Sequence, residues 1–272
     1  MPPFADPTRG GTISSVQPMP IGMQADKYLT QCAASYEAFA FLYSRTMAED
    51  FCRRALAGYR ELLLHDAPAG SKILDVCCGS GQWAREFTQL GYQVTGLDAS
   101  PAMIRLARET APNARFLVAD ARHFHFVKAF SGIFSAFNSL AHASSTEDLL
   151  LIFRNVRQAL ARDATFAFDL SMEEAYVSRW RGRFLFQVDG LTFTLEPTYD
   201  RTSRIAQNQI SIAGRVDEPA PATAFRIYQH CYSEDELRNA LRLAEFRQVE
   251  SFDAEDDLGI AGERGRRFFR CR

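Results

Sequence analysis

Apolar positions follow two different periods along the chain, and the change of period predicts where helices and strands lie. Between residues 26 and 65, apolar side chains recur every three or four positions, which predicts two helices that meet near Thr46. From Ile73 onwards, short apolar runs alternate with segments of helical period, which is typical of a parallel sheet with helices on both faces. The predicted strands are 73–76, 93–97, 115–119, 130–137 and 165–170, and the predicted helices between them are 82–90, 101–110 and 146–161.

The pattern changes after Asp169. A short helix is predicted over 172–180, and four strand-like runs follow, with Gly190 marking a hairpin turn. These runs predict an antiparallel insert over the ligand-binding edge of the sheet. Ser233 and Glu236 form the sequence signature of a helix start, and two final runs would close the sheet as an antiparallel pair. The strand-like runs are 184–188, 191–199, 204–213 and 224–232, and the closing runs are 247–252 and 267–271.

Five segments follow from these patterns. The first, 1–25, is rich in Pro, Gly, Ser and Thr without periodicity, which predicts a flexible arm. The others are an N-terminal helical lid (26–66), a ligand-binding core (67–170), a helix with the antiparallel insert (171–232) and a C-terminal helix with closing strands (233–272).

Composition limits the classes of partner. With 272 residues and a formal net charge of −2, the chain has no basic excess that would predict nucleic acid or an anionic membrane as partner. No apolar signal core is visible, so we expect a cytoplasmic location. The six cysteines include no C-x-x-C pair, so no metal site is expected. Whether the protein is a monomer or a homodimer stays open.

One stretch, residues 72–84, carries most of the functional information. It reads as a strand that ends near Asp75, a turn with Gly79 and Gly81, and the start of a helix. Glycines allow a tight turn and a close approach of a ligand to the main chain. The free N–H groups at the following helix start can bind polar or anionic groups. With Ala84, the same spacing also fits the dinucleotide fingerprint of a dehydrogenase.

Two further acidic residues favour a different cofactor. Asp98 and Asp120 end the second and third predicted strands, and right-handed crossovers bring these strand ends to one edge of the sheet. A dehydrogenase has no general need for the third acid. A cofactor with an adenine amino group, a ribose diol and an amino-acid tail can use all three.

On these residues the chain resembles the class I S-adenosylmethionine (SAM)-dependent methyltransferases of the small-molecule type. The resemblance runs from about Tyr36 to the C-terminus, and its motifs are specific only between Leu74 and Asp120. It implies a Rossmann-like α/β fold with a mostly parallel seven-stranded sheet, an N-terminal helical lid, an insert after the fifth strand, and SAM as cofactor. It implies that Asp75 and the 79–81 turn hold the methionine portion, that Asp98 holds the ribose, and that Asp120 and the Ala121 backbone meet the adenine. The further predicted cofactor contacts are Cys77, Trp83, Ala99, Met103 and Asn138.

Five side chains are the catalytic candidates. Asn138 follows the fourth strand and could accept a hydrogen bond from an amine, and His142 is a candidate general base. The sulfonium of SAM can be held by an aromatic face, for which Tyr176 is the first candidate and Tyr36, on the lid, the second. Ser203 is a candidate acceptor of amine protons.

Three functions are compatible with this pattern. The first is methyl transfer from SAM to a small-molecule acceptor in secondary metabolism, because the chain has neither an Asp/Asn-Pro-Pro-Tyr motif nor a basic patch interleaved with aromatics. The second is cyclisation of SAM itself with release of methylthioadenosine, as in the azetidine-2-carboxylate synthases, which the chain also resembles. The third is a SAM-binding sensor without enzymatic activity.

Overall fold

The computed structural model describes the backbone of residues 25–64, 67–213 and 223–272, and their side chains except those of 25–38 and 223. A core sheet is built from seven strands, and a second sheet from four. The core strands are β1 (Lys72–Val76), β2 (Gln93–Asp98), β3 (Arg115–Val118), β4 (Phe130–Ser135), β5 (Leu160–Ser171), β10 (Val249–Asp253) and β11 (Arg266–Cys271). The second sheet contains β6 (Phe184–Val188), β7 (Leu191–Asp200), β8 (Ile205–Ala213) and β9 (Thr223–His230). The helices are α1 (Ala25–Leu64), α2 (Gln82–Gln89), α3 (Pro101–Thr110), a 3-10 turn (Ser139–His142), α4 (Thr146–Ala159), α5 (Glu173–Arg179) and α6 (Glu234–Leu243).

The core sheet has the strand order β10-β11-β5-β4-β1-β2-β3. Strands β1 to β5 are parallel, and β11 pairs antiparallel with both β5 and β10. The predicted α/β fold with a mostly parallel seven-stranded sheet is therefore confirmed. This topology brings the carboxyl ends of β1, β2, β4 and β5 to one edge, which we call the ligand edge.

The N-terminal segment corrects one prediction. The two helices predicted around Thr46 are one continuous helix, α1, of 40 residues. No Gly or Pro lies between residues 25 and 57, so nothing in the backbone stops the helix. The Thr46 hydroxyl donates a hydrogen bond to Leu42 O at 2.7 Å, which is compatible with an uninterrupted helix.

Helix α1 packs against both sheets. Its C-terminal half buries Phe51, Ala55 and Tyr59 against the core, each no more than 1% exposed. Further towards its N-terminus, Phe39 and Leu42 belong to a separate apolar cluster with residues of the second sheet, among them Phe193, Leu195, Ile210 and Ile227. One helix thus joins the core to the insert.

The insert after the fifth strand is present as predicted, as the antiparallel sheet β6-β7-β8-β9. Gly190 has φ +83° in the β6–β7 turn, a conformation that glycine adopts without strain. The predicted capping box of α6 is also confirmed, because the Ser233 and Glu236 side chains bond each other's backbone N–H. The predicted flexible arm, apart from Ala25, lies outside the described residues.

The described part of the chain lacks two kinds of feature. Its helices include none with the length and hydrophobicity that a membrane crossing requires. It also contains no group of three or more His, Cys, Asp or Glu side chains arranged to hold a metal ion.

Candidate functional site

The glycine turn after β1 is closely packed on two sides. Gly81 has φ +87°, and a Cβ there would lie 2.8 Å from Ala107 Cα, so only glycine lets α2 start against α3. A Cβ on Gly79, which has φ +52°, would lie 3.1 Å from Cε1 of Tyr43. Tyr43 of α1 therefore sits directly over the turn, at the ligand edge.

Asp75, at the carboxyl end of β1, is a buried acid with an unsatisfied oxygen. The residue is 1% exposed, and its Oδ2 accepts no hydrogen bond from any described residue. Burial, and then the negative charge of Asp98, raise the pKa of Asp75 well above its usual value. A buried carboxylate without a partner is costly, so this position favours a cationic group next to it.

The ammonium group of SAM fits that requirement. It would give Asp75 the missing counter-charge, while the glycine turn leaves the backbone open to the methionine portion. The donor set at this edge therefore fits the cofactor that the sequence implies.

Asp98 is fixed by the turn that it helps to shape. Its Oδ2 accepts the Gly79 N–H and its Oδ1 accepts the Ser100 N–H, both at 2.9 Å. A carboxylate has about four lone-pair sites, so both oxygens keep capacity for the hydroxyls of a ribose. The neighbouring Ala99 is exposed, and Met103 is buried against Ala102 and α1.

Asp120 is engaged by an arginine. The Arg122 guanidinium donates to both of its oxygens, the shortest contact being 2.6 Å, and the Arg122 N–H donates to Oδ1. Burial opposes ionisation, but these bonds outweigh it and hold the pKa of Asp120 below its usual value. Ala121, next in the chain, is buried and its carbonyl accepts from Asn155. The predicted contact of Asp120 and Ala121 with adenine stays a prediction.

A polar network joins the core to the insert just beyond β4. Asn138, with φ 61°, donates from Nδ2 to Tyr176 Oη at 3.0 Å and to Gln229 Oε1 at 2.7 Å. Its Oδ1 accepts the Ser171 N–H at 2.7 Å. The Tyr176 hydroxyl donates to Gln229 Oε1 at 3.2 Å. The structure thus brings together two of the predicted catalytic residues, Asn138 and Tyr176, in one buried cluster.

His142 contacts this network from the other side of Gln229. Its Nδ1 lies 2.8 Å from the Tyr228 carbonyl, which can only accept, so Nδ1 carries the proton and Nε2 faces the Gln229 amide at 3.4 Å. Burial lowers the pKa of His142 to about 4, although the bond to Tyr228 acts in the opposite direction. The imidazole is neutral at pH 7, and it is a weak base.

Several other predicted site residues lie elsewhere or are engaged in packing. Ser203 is exposed in the β7–β8 turn and donates to Asp200 Oδ2 at 2.8 Å, so the structure does not bring it to Asn138. Its prediction relied on an assumed side-chain direction between two predicted strands. Trp83 is buried in the core beside α1, with its ring centroid 4.7 Å from that of Tyr59. Cys77 is half-buried at φ 61°, and the Tyr36 side chain lies outside the described side chains.

The sequence reading missed a buried ion pair behind the site. Asp169, 0% exposed near the end of β5, pairs with Arg266 of β11. Its Oδ1 accepts from the Tyr59 hydroxyl at 2.6 Å and from the Phe137 N–H at 2.7 Å, and its Oδ2 accepts from the Asn138 N–H at 3.0 Å. Asp169 therefore holds the turn that carries Asn138. The signal in the sequence that could have predicted this pair is an acidic residue, Asp169, within an otherwise apolar strand.

Arg266 is stabilised by an acid and by two rings. Its Nε donates to Glu263 at 2.8 Å, and its guanidinium lies 4.8 Å from the ring centroid of Phe51 and 5.6 Å from that of Phe137. Phe137 in turn faces Tyr43, with ring centroids 5.8 Å apart. A continuous set of contacts therefore connects Arg266, through the turn after β4, to the residue that covers Gly79.

Comparisons with known proteins agree with this geometry. Residues 73–163 match the family model described as a methyltransferase domain. A dTDP-3-amino-3,4,6-trideoxy-α-D-glucopyranose N,N-dimethyltransferase of Streptomyces venezuelae is 34% identical over 33% of this chain and 38% of its own length. A dTDP-3-amino-3,6-dideoxy-α-D-glucopyranose N,N-dimethyltransferase of Streptomyces fradiae is 30% identical over 47% of this chain and 48% of its own. The chain thus matches less than half the length of these two relatives.

Solved structures extend the likeness to nearly the whole chain. The sugar N-methyltransferase KedS8 from Streptoalloteichus superposes with a TM-score of 0.70 at 17% identity, covering 97% of this chain and 98% of its own. DesVI from Streptomyces venezuelae gives 0.68 at 21% identity, covering 88% and 97%. Identities this low establish the fold alone.

None of these four proteins is described as an azetidine-2-carboxylate synthase, so that alternative gains no support. The predicted resemblance to SAM-dependent methyltransferases is confirmed. Residues 73–163 match the methyltransferase-domain family, and the chain shares the Rossmann-like fold of the methyltransferase structures on which it superposes.

Proposed function

We propose that this protein is an enzyme that transfers a methyl group from SAM to a small-molecule acceptor in secondary metabolism. The observation that carries the proposal is the buried, unsatisfied oxygen of Asp75 beside the glycine turn. A cation is needed there, and the ammonium of the cofactor's methionine portion supplies one. Asp98, whose oxygens accept the Gly79 and Ser100 N–H groups, is the residue that we propose binds the ribose diol.

When bound, SAM supplies a methyl group made electrophilic by the adjacent sulfonium. The protein has to align an acceptor atom with that carbon and exclude water from the contact. Tyr43 over Gly79, and the insert joined to the core through Asn138 and Tyr176, are suited to cover the reacting atoms. The ring of Tyr176 is stacked on Tyr199, with centroids 5.3 Å apart.

The electrostatics of the network favour a nitrogen acceptor. Asn138, Tyr176 and Gln229 are uncharged, and His142, with a pKa of about 4, is neutral at pH 7. A hydroxyl acceptor would need a strong base to remove its proton, whereas a neutral amine already carries the lone pair that attacks. Asp169 lies nearby, but Arg266, Tyr59 and the turn after β4 occupy its oxygens.

Amino sugars are the first acceptors to test. The two relatives described above are named for N,N-dimethylation of dTDP-amino sugars, and the proposed nitrogen acceptor is the same type of group. We further propose a cytoplasmic location, with neither nucleic acid nor membrane as partner.

The experiment is product analysis by mass spectrometry. The full chain is incubated with SAM alone, and with SAM plus a panel of dTDP-amino sugars that carry a free or monomethylated amine. Methyl transfer predicts S-adenosylhomocysteine and a product heavier by one methyl group in equal amounts, and only when an acceptor is present. Heat-denatured protein serves as the control for spontaneous decay of SAM.

Two outcomes would contradict the proposal. Methylthioadenosine and azetidine-2-carboxylate formed from SAM alone would establish cyclisation. Failure of the folded protein to bind SAM would exclude both methyl transfer and cyclisation of SAM.

A further inference from the structure

A cavity of about 980 Å³ lies at the edge of the core sheet opposite the ligand edge. It is found where β4 and β5 begin and β11 ends. Five cationic side chains from separate segments line it, with one acidic side chain among them. The cations are Lys128, Arg157, Arg162, Arg247 and Arg272, and the acid is Asp163.

This concentration of positive charge contrasts with the chain as a whole, which has 33 acidic and 31 Lys and Arg residues. Among the described residues, Lys128, Arg162 and Arg247 have no acidic partner within ion-pair distance, and all three are exposed. Like charges gathered around a cavity repel one another, and a bound anion relieves that repulsion.

The backbone beside the cavity has an irregularity that carries one of the cationic side chains. Phe130 pairs with Leu160, but Gly132 pairs with Thr165, so residues 161–164 bulge out of β5 and carry Arg162. The carbonyls of Gln158 and Ala159 at the end of α4 accept the N–H groups of residues 128 and 129, at 2.9 and 2.8 Å. Main-chain donors therefore already occupy these two carbonyls at the C-terminal end of α4.

Two of the arginines are held in place. The Arg157 guanidinium lies 6.0 Å from the Phe246 ring centroid, and Arg272 Nε donates to Thr165 Oγ1 at 3.2 Å. Guanidinium groups bind phosphate oxygens through paired N–H donors, so an ordered pair of them reduces the entropic cost of binding.

We propose that this basic cavity binds a small, multiply charged phosphate compound, such as a polyphosphate or the phosphate groups of a nucleotide. A concave site without aromatic rings does not suit single-stranded nucleic acid, which needs stacking platforms along a groove. The lining also offers little exposed apolar surface for a protein interface core. The site is separate from the glycine turn, so the proposal does not depend on SAM binding.

The test is titration calorimetry of the full chain, with and without excess S-adenosylhomocysteine, with inorganic triphosphate at low and at physiological ionic strength. We expect one triphosphate per chain, with affinity that falls as salt rises. Arg162→Gln and Arg247→Gln should each weaken binding about tenfold, as expected for loss of one charge-assisted hydrogen bond. Both side chains are exposed, so the variants should melt like the unmodified protein.

The matched control is the double variant Arg115→Gln with Arg181→Gln, which removes two exposed cations outside the cavity. Its affinity should equal that of the unmodified protein, while Arg162→Gln with Arg247→Gln loses about a hundredfold if the two contacts are independent. Absence of triphosphate binding would overturn the proposal. So would equal weakening in both double variants, because it would reveal an effect of net charge alone. Binding seen only without S-adenosylhomocysteine would place the anion at the glycine turn and also overturn it.

Discussion

Among single residues, Asp75 is the one whose protonation state would depend most directly on the cofactor in the proposed function. Without a cation, burial and Asp98 raise its pKa, so the protonated form persists above the ordinary carboxyl range near pH 4. The ammonium of the ligand favours the ionised form. Ligand binding and loss of the Asp75 proton are therefore linked.

The linkage predicts how affinity changes with pH. Below its raised pKa, Asp75 is neutral and attracts the ammonium weakly; above it, the carboxylate is charged and binding is strong. We expect the affinity for S-adenosylhomocysteine to rise with pH, by up to about tenfold per unit, across the range where Asp75 titrates. Calorimetry from acidic to neutral pH measures this. Asp75→Asn should bind weakly with a flat profile, and an unchanged pH dependence in that variant would contradict the assignment.

Tyr176 allows the ring and the hydroxyl to be tested separately. Tyr176→Phe keeps the ring against Tyr199 and leaves Asn138 Nδ2 bonded to Gln229, so we expect a loss of about 1 kcal/mol of stability and modest loss of turnover. Tyr176→Ala removes a fully buried ring and should cost about 3–5 kcal/mol and most of the turnover. Urea unfolding and SAM turnover measure the two effects. Equal loss of turnover in both variants would show that the hydroxyl, not the ring face, is required.

At the scale of elements, the turn between β4 and the 3-10 helix depends on its contact with β5. Phe137 and Asn138 both have φ near 61°, which is uncommon for residues with side chains, and both donate their N–H to Asp169. The ion pair with Arg266 ties this turn to β11 as well. The position of Asn138 is therefore determined by residues far away in the sequence.

Replacement of Asp169 tests this dependence. Asp169→Ala leaves Arg266 buried with Glu263 as its remaining acidic partner and removes the acceptor of the Tyr59 hydroxyl, so we expect about 3–5 kcal/mol of lost stability. Urea unfolding measures the change. Asp200→Ala is the control, because Asp200 accepts hydrogen bonds in an exposed turn, and it should change stability by less than about 0.5 kcal/mol. Similar losses in the two variants would contradict a special role for Asp169.

At the scale of the whole molecule, local patterns predicted the architecture well. The alternation of strand-like and helical periods predicted the parallel sheet, the antiparallel insert and the closing strands. Such patterns are visible because the burial of one or both faces of an element determines the spacing of its apolar residues. The helix start at Ser233 was readable because capping depends on neighbouring residues. The acids at strand ends were readable because parallel topology fixes where those ends meet.

The parts of the structure that were not predicted depend largely on contacts that no local sequence pattern indicates. The pair Asp169–Arg266 joins residues 97 positions apart, and Gln229 reaches Asn138 across 91 positions. The continuity of α1 was missed because a shift of hydrophobic face along a helix looks the same as a break between two helices. The exposed position of Ser203 could not be predicted because side-chain direction near a hairpin depends on where the turn begins.

In the proposed function, the edge formed by the glycine turn, Asp75 and Asp98 binds SAM. Asp98→Ala is the sharpest test of this binding site, since the change removes the proposed ribose contact and the acceptor of the Gly79 N–H together. The measurement is calorimetric titration of SAM into the unmodified protein, Asp98→Ala and the control Asp200→Ala, with thermal melting to verify folding. We predict one SAM per chain, binding about 10- to 100-fold weaker in Asp98→Ala, and no change in the control. Equal affinity for SAM in all three folded proteins, or no binding in the unmodified one, would contradict the account.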